Sequence, residues 1–221
     1  MKRIVICFEM LPYSFLQTCN TPNIDRLELG PHPAKSLGGM TRAAVPWLLG
    51  GFTAHCLVKG CRHNKGLGWG RTWYLTDMME KGIPLFLYVP NGWVLEFLTP
   101  FMTSSFKNKI LKWHEKYDTK VMVEDFVEAE HRLNEYFAYI HIMETHMPFF
   151  PPNEPPGDDK TMSEKELLGK RRRTVEYMDS VIKPLIDLDS EELVITSDHN
   201  IALGEWSPEW FDVFIATRGV K

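Results

Sequence analysis

The sequence predicts an α/β fold with a mostly parallel central sheet and helices on both faces, and three observations carry that prediction. Residues 4–8, 84–89, 136–143 and 193–196 are short apolar runs, with the length and continuity of strands covered on both sides. Segments with apolar residues at helical spacing stand between them, which is the alternation of an α/β architecture. The 221 residues, 44% of them apolar, suffice to bury one sizeable core. A single domain over 1–221 is therefore expected.

In chain order, Ile4-Val-Ile-Cys-Phe8 reads as the first buried strand, and it ends on Glu9. Thr21-Pro22, with Asp25 in the opening turn, signals a short helix: a capping residue, then proline at the first helical position. Ala44, Val45, Leu48 and Leu49 lie at helical spacing between glycine pairs at 38–39 and 50–51, which places Thr41 at a helix N-terminus. Residues 72–81 read as a helix closed by Gly82, and 84–89 as the next strand. The aromatic-rich stretch 91–120 has no assignable period. Residues 123–133 suggest a helix and 136–143 a strand. Residues 148–160 contain five prolines, so a loop is expected over 148–162, at the rim of any site. Ser163 and Glu166 form a capping-box pattern opening a helix toward 188, which Pro184 should kink or end. The strand 193–196 runs into Ser197-Asp198-His199, and 211–216 supplies a last strand. The run from Lys170 to Arg173 should fan around its helix into solvent.

Composition excludes several classes. A net charge of -4 gives no bias toward nucleic acid or an anionic membrane surface. Four cysteines in a chain of this length do not make a disulfide scaffold. The first apolar run is too short for a secretory leader. No apolar stretch reaches the roughly 20 residues of a membrane span; even 83–102 is broken by prolines, Asn91, Gly92 and Glu96. The expectation is a soluble, cytoplasmic protein without a membrane segment. Oligomeric state is not legible.

Function must come from sites, and four residues stand where strands end or a helix begins: Glu9, Thr41, Asp198 and His199. Ligands of open α/β sheets bind there. Two carboxylates and an imidazole suit zinc or manganese. A threonine hydroxyl beside such an ion can be deprotonated near neutral pH and attack phosphorus. Singly, each has a plainer reading as a loop acid, an N-cap and a turn.

Five segments in order resemble the sulfatase-like branch of the alkaline phosphatase superfamily. They are the first strand with its acid, Asn20-Thr-Pro-Asn-Ile-Asp-Arg-Leu27, Thr41-Arg-Ala-Ala-Val-Pro-Trp-Leu-Leu-Gly-Gly51, Tyr139-Ile-His-Ile-Met-Glu-Thr-His-Met-Pro-Phe149, and Leu193-Val-Ile-Thr-Ser-Asp-His199 followed by Leu203-Gly-Glu205. The resemblance implies an alkaline phosphatase-like fold, in a minimal version lacking the usual C-terminal subdomain. It implies one divalent ion, zinc or manganese with magnesium a third option, held by Glu9, Thr41, Asp198 and His199. It also implies a substrate-contacting role for His146, and Arg42 could pair with a phosphate oxygen through its planar fork.

Position 41 separates the chemistries within that branch. Sulfatases place a cysteine or serine four residues before an arginine, whereas here threonine is followed at once by Arg42. The Glu, Thr, Asp and His set is similar to that of lipoteichoic acid synthase and the phosphoethanolamine transferases. The expected function is metal-dependent phosphoryl transfer on a small phosphate ester through Thr41, as a phosphatase, phosphodiesterase or phosphotransferase. A non-catalytic metal-binding member is the alternative, and a sulfatase the third reading. His141, inside a strand on the same face as Tyr139, reads as a satisfied core histidine.

Overall fold

The structure is a computed structural model. It describes residues 1–36, 41, 44, 45, 48, 78, 81–89, 118–158, 160–200 and 211–220, and the backbone of 109–113. Its strands are β1 (Lys2–Phe8), β2 (Leu29–Lys35), β3 (Leu85–Val89), β4 (Lys109–Trp113), β5 (Tyr136–Ile142), β6 (Glu192–Ser197) and β7 (Asp212–Arg218). Among the described residues the helices are α1 (Tyr13–Leu16), α2 (Pro22–Asp25), α3 (Thr119–Glu130), α4 (Glu164–Val181) and α5 (Lys183–Asp187). Thr41, Ala44, Val45, Leu48 and Met78 are also helical. No described helix is long and apolar enough to cross a membrane.

The described strands form one sheet in the order β2-β7-β6-β1-β5-β3-β4. From β6 through β4 the pairings are parallel, while β7 runs antiparallel to both β6 and β2. The first strand is therefore central, flanked by β5 and β6. Its residues alternate between two cores, as the two-residue period of a strand requires. Ile4, Ile6 and Phe8 join Phe86, Tyr88, Ala138, Ile140 and Ile195 in a core closed by α1–α5. Cys7 joins Leu85, Leu87, Phe137 and Tyr139 in the other, covered by the helical residues Val45 and Met78. Helices on both faces of a mostly parallel sheet are thus what the apolar runs foretold.

The differences from the sequence expectation have physical causes. β2 carries Pro31 and Pro33 and was invisible to pattern reading; it is tolerated because it lies at the end of the described sheet, where missing donors cost no ladder bond. β4 emerges from the stretch without a period, through its pairing with β3. α3 begins four residues before 123 because the Asp118 carboxylate caps it, accepting from Val121 N at 3.2 Å. Thr21 gives α2 no side-chain cap. Instead Asp179 of α4 accepts from Asn23 N at 3.1 Å and Ile24 N at 2.9 Å, satisfying that helix's free donors from another element. The Ser163–Glu166 capping box is present, and the helix breaks at Ile182, after which Pro184 sits in the first turn of α5. Described residues between β5 and α4 adopt no helix or strand, as the prolines indicated.

The run at 170–173 corrects an expectation. Arg172 and Arg173 are exposed, but Lys170 and Arg171 are buried, at 7% and 8% exposure. Lys170 donates to the Pro155 carbonyl at 2.7 Å and Arg173 to Glu154 at 2.7 Å, so the charges fasten the proline-rich loop to α4.

Phe126 is the anchor of α3, fully buried with Phe86 and Tyr136 packed edge-on at ring distances of 5.2 Å each. Phe126→Ala is expected to cost about 3–5 kcal/mol of unfolding free energy. Urea denaturation should show a lowered midpoint with an unchanged slope.

Candidate active site

Three parallel strands end side by side at one point of the sheet. The β1–β5 ladder continues one residue past β1, where Glu9 N donates to Ile142 O at 2.9 Å, and the β6–β1 ladder likewise through Asp198 N to Phe8 O at 3.2 Å. Glu9 and Asp198 are thereby set at the carboxyl ends of adjacent strands, the usual ligand position of such sheets. Met10, at φ 58°, turns the chain sharply away after Glu9. Four bonds fix that turn. Met10 N donates to Asp198 Oδ1 at 2.9 Å, Thr145 Oγ1 to the Glu9 carbonyl at 2.7 Å, Ser197 Oγ to the Leu11 carbonyl at 2.6 Å, and Arg171 to the Met10 carbonyl.

The side chains converge on Glu9. Thr41 Oγ1 donates to Glu9 Oε1 at 2.5 Å and lies 3.2 Å from His199 Nε2. That same Nε2 is 3.4 Å from Glu9 Oε1 and 3.4 Å from Asp198 Oδ2. On the other side, His141 Nε2 is 2.7 Å from Glu9 Oε2, and its Nδ1 is 2.6 Å from the Tyr139 hydroxyl. Glu9, Asp198 and His141 are buried at 3%, 2% and 0% exposure.

Such burial of two carboxylates dominates the electrostatics. Burial and the neighbouring Glu9 charge push Asp198 up to about 6. For Glu9 burial also acts upward, but the hydrogen bonds from His141 and His199 outweigh it and hold the carboxyl well below its ordinary range. His199 shows the reciprocal effect: burial works against its charge, yet Asp198 and Glu9 raise it to about 9. The site is a buried negative centre balanced by imidazole.

A divalent cation fits this centre. Asp198 Oδ2 is buried with no hydrogen-bond partner, which asks for an explanation such as an ion. Ligand atoms of Glu9, His141 and Asp198 lie within 4.8 Å of one another. Carboxylate oxygen and imidazole nitrogen are the donors that zinc and manganese take.

The four residues singled out in the sequence, Glu9, Thr41, Asp198 and His199, are thus brought together. His146 is not hydrogen-bonded to any of them; its backbone N donates to Met143 O at 2.9 Å and its ring pairs with the Met147 carbonyl. Arg42 lies outside the described residues. Sequence reasoning placed His141 in the core, and it is there, but the partner that satisfies it is Glu9. Thr145 and Arg171 were not anticipated, because both act on backbone carbonyls of the Glu9 turn and no spacing in the chain announces that.

A profile of the sulfatase family matches residues 65–213, more than half of the chain's 221 residues. The chain belongs to the sulfatase family. The matched span contains Asp198 and His199, while Glu9 and Thr41 precede it. The fold of this sulfatase-family chain is similar to the C-terminal periplasmic domain of the phosphoethanolamine transferase EptC from Campylobacter jejuni. The TM-score is 0.69 at 14% identity, over 97% of this chain and 78% of that one. It is similar to an alkaline phosphatase superfamily protein from Vibrio parahaemolyticus, with a TM-score of 0.68 at 14% identity over 100% and 60% of the two chains. For the lipoteichoic acid synthase LtaP from Listeria monocytogenes the TM-score is 0.62 at 15% identity, over 98% and 65%. These identities bear on fold, and this chain spans only part of each relative. No curated protein sequence matches it.

The orphaned carboxylate predicts a stability response to metal. Zinc or manganese at about 100 times its dissociation constant should raise unfolding free energy by about 2.7 kcal/mol, and a chelator should reverse the gain. Asp198→Asn should abolish most of the response in thermal unfolding followed by circular dichroism.

Proposed function

We propose that this chain is a metal-dependent phosphoryl-transfer enzyme, with Thr41 as nucleophile and one divalent ion held by Glu9, Thr41, Asp198 and His199. The observation that supports this most is the Thr41 hydroxyl itself, half-buried against Glu9 Oε1 at 2.5 Å and His199 Nε2 at 3.2 Å. A threonine hydroxyl that already donates to a buried carboxylate is oriented to give up its proton and become an alkoxide. Zinc or manganese, with magnesium a third option, would supply charge neutralisation and ease that deprotonation.

The chain's own residues orient and move the proton. Glu9 Oε1 holds the Thr41 hydroxyl, so its free lone pairs point away from the carboxylate. As Oγ1 attacks phosphorus in line, its proton passes toward Glu9 Oε1, the oxygen it already donates to, and the bond from phosphorus to the leaving oxygen breaks. That proton then reaches the departing alkoxide, giving a neutral alcohol and a phosphothreonine. Water or an acceptor alcohol opens the phosphothreonine in the second half-reaction, which returns the Thr41 hydroxyl. His146 and Arg42 are assigned to the phosphoryl oxygens, where donors offset developing charge. For His146 this means exchanging the Met147 carbonyl for substrate.

Family membership does not make sulfate the substrate. Threonine at position 41 has no route to the formylglycine aldehyde, since its Cβ carries a methyl group and its oxidation would give a ketone. Small phosphate esters are the substrate class this reading assigns. The names of the fold relatives, phosphoethanolamine transferase and lipoteichoic acid synthase, are consistent with it.

Purified protein with saturating manganese or zinc should hydrolyse a generic aryl phosphate or aryl phosphodiester and leave the matching aryl sulfate intact. Thr41→Ala should bring turnover to background at saturating metal, and Thr41→Ser should retain a measurable rate. Metal bound in about one equivalent with no turnover of either phosphate would support the non-catalytic alternative instead.

A further inference from the structure

The two oxygens of Glu9 face different neighbours. Oε1 meets Thr41 and His199, on the side of the reacting groups, whereas Oε2, among the described residues, meets His141 at 2.7 Å. An ionised carboxylate has acceptor sites only, so His141 Nε2 must be the donor in that contact. In a neutral ring the other nitrogen is an acceptor, and the Tyr139 hydroxyl, 2.6 Å from Nδ1, is placed to donate to it. Tyr139, His141 and Glu9 thus form one continuous series of buried polar contacts.

The placement of the pair is a consequence of the sheet. Tyr139 and His141 are two residues apart on β5 and share a face. Parallel pairing sets His141 opposite Cys7, two residues before Glu9 on the same face of β1. Both side chains are at 0% exposure. A phenol and an imidazole buried in a sheet are costly unless each is bonded, and here the terminus of their bonding is the Glu9 carboxylate.

We infer that Tyr139 and His141 are a positioning pair that makes Glu9 a one-oxygen metal ligand. By bonding Oε2 the pair holds the carboxylate with Oε1 turned toward Thr41 and His199. Partners of this kind orient ligating carboxylates and contribute strongly to metal affinity. A one-oxygen carboxylate also suits the compact four-coordinate sphere of zinc, whereas a freed second oxygen allows two-oxygen binding of larger, oxygen-preferring ions. The pair thus biases the site toward zinc over manganese. This inference rests on the metal site of the phosphoryl-transfer reading. The competing assignment is His141 as a direct ligand, since its Nε2 belongs to the same close group of donor atoms.

The test is competition of the full chain against a chromophoric chelator for zinc and for manganese, with nitrogen-15 NMR of the histidine rings. His141→Gln keeps an N–H donor near the Nε2 position and should hold zinc within a few-fold of wild type. His141→Leu should lose about 10- to 100-fold in zinc affinity, with manganese affected less. Tyr139→Phe, nearly isosteric and the variant least disturbing to folding, should weaken zinc several-fold and free the His141 ring to change tautomer. In wild type the His141 proton should sit on Nε2 both without metal and after zinc is added. Loss of that proton on zinc addition, or a Gln variant as weak as the Leu variant, would make His141 a ligand and overturn the inference. Wild-type zinc affinity in His141→Leu would overturn it as well. Failure of the phosphoryl-transfer reading looks different: wild type itself would bind no zinc, and the metal-free tautomer alone would then judge the pair.

Discussion

Glu9 and Asp198 are buried beside each other at the ends of neighbouring strands, and much of the surrounding structure compensates for that negative charge. Two carboxylates removed from water repel each other and lose hydration, a penalty that only hydrogen bonds, opposite charge or an ion can offset. Backbone N–H groups of Met10 and His199 take Asp198 Oδ1. His141 and Thr41 take the two oxygens of Glu9. Asp198 Oδ2 alone is left without a hydrogen bond. A buried carboxylate oxygen that meets an imidazole at 3.4 Å without a hydrogen bond is suited to a cation.

Rigidity at that centre is supplied from several elements at once. The turn at Met10 is held by the β5–α4 loop through Thr145, by β6 through Ser197 and Asp198, and by α4 through Arg171. Arg171 also lies over the faces of Phe15 and Phe149, with its carbon Cζ 4.6 and 5.6 Å from the ring centres. Burial lowers its guanidinium to about 10, and cation–π contact with these rings helps offset that cost. Helix α4 therefore does two jobs with consecutive residues. Lys170 fastens the proline-rich loop while Arg171 fastens the turn that carries Glu9.

The sulfatase family is defined here by a fold and by a strand-end site rather than by one reaction. The acid and imidazole residues of the site are fixed at strand ends, while Thr41 stands at a helical position outside the matched span. Position 41 of this chain is threonine, and its hydroxyl contacts both Glu9 and His199.

Much of the fold was legible in the sequence by itself. Apolar runs marked β1, β3, β5 and β6, the Ser163–Glu166 box marked the start of α4, and prolines marked the loop before it. Those signals are local, because a strand's burial and a helix's cap are written in adjacent residues. Glu9, Thr41, Asp198 and His199 were legible as candidates because strand ends and helix starts can be read from such patterns. Only the tertiary structure decided that they meet. The strand β2 at the end of the described sheet, the Asp179 cap of α2, the bond from Arg171 to Met10, and the bond from His141 to Glu9 each join residues more than 100 positions apart. Register is set by packing of whole sheets, and a single sequence does not record which of its polar groups will face each other once the sheet is assembled.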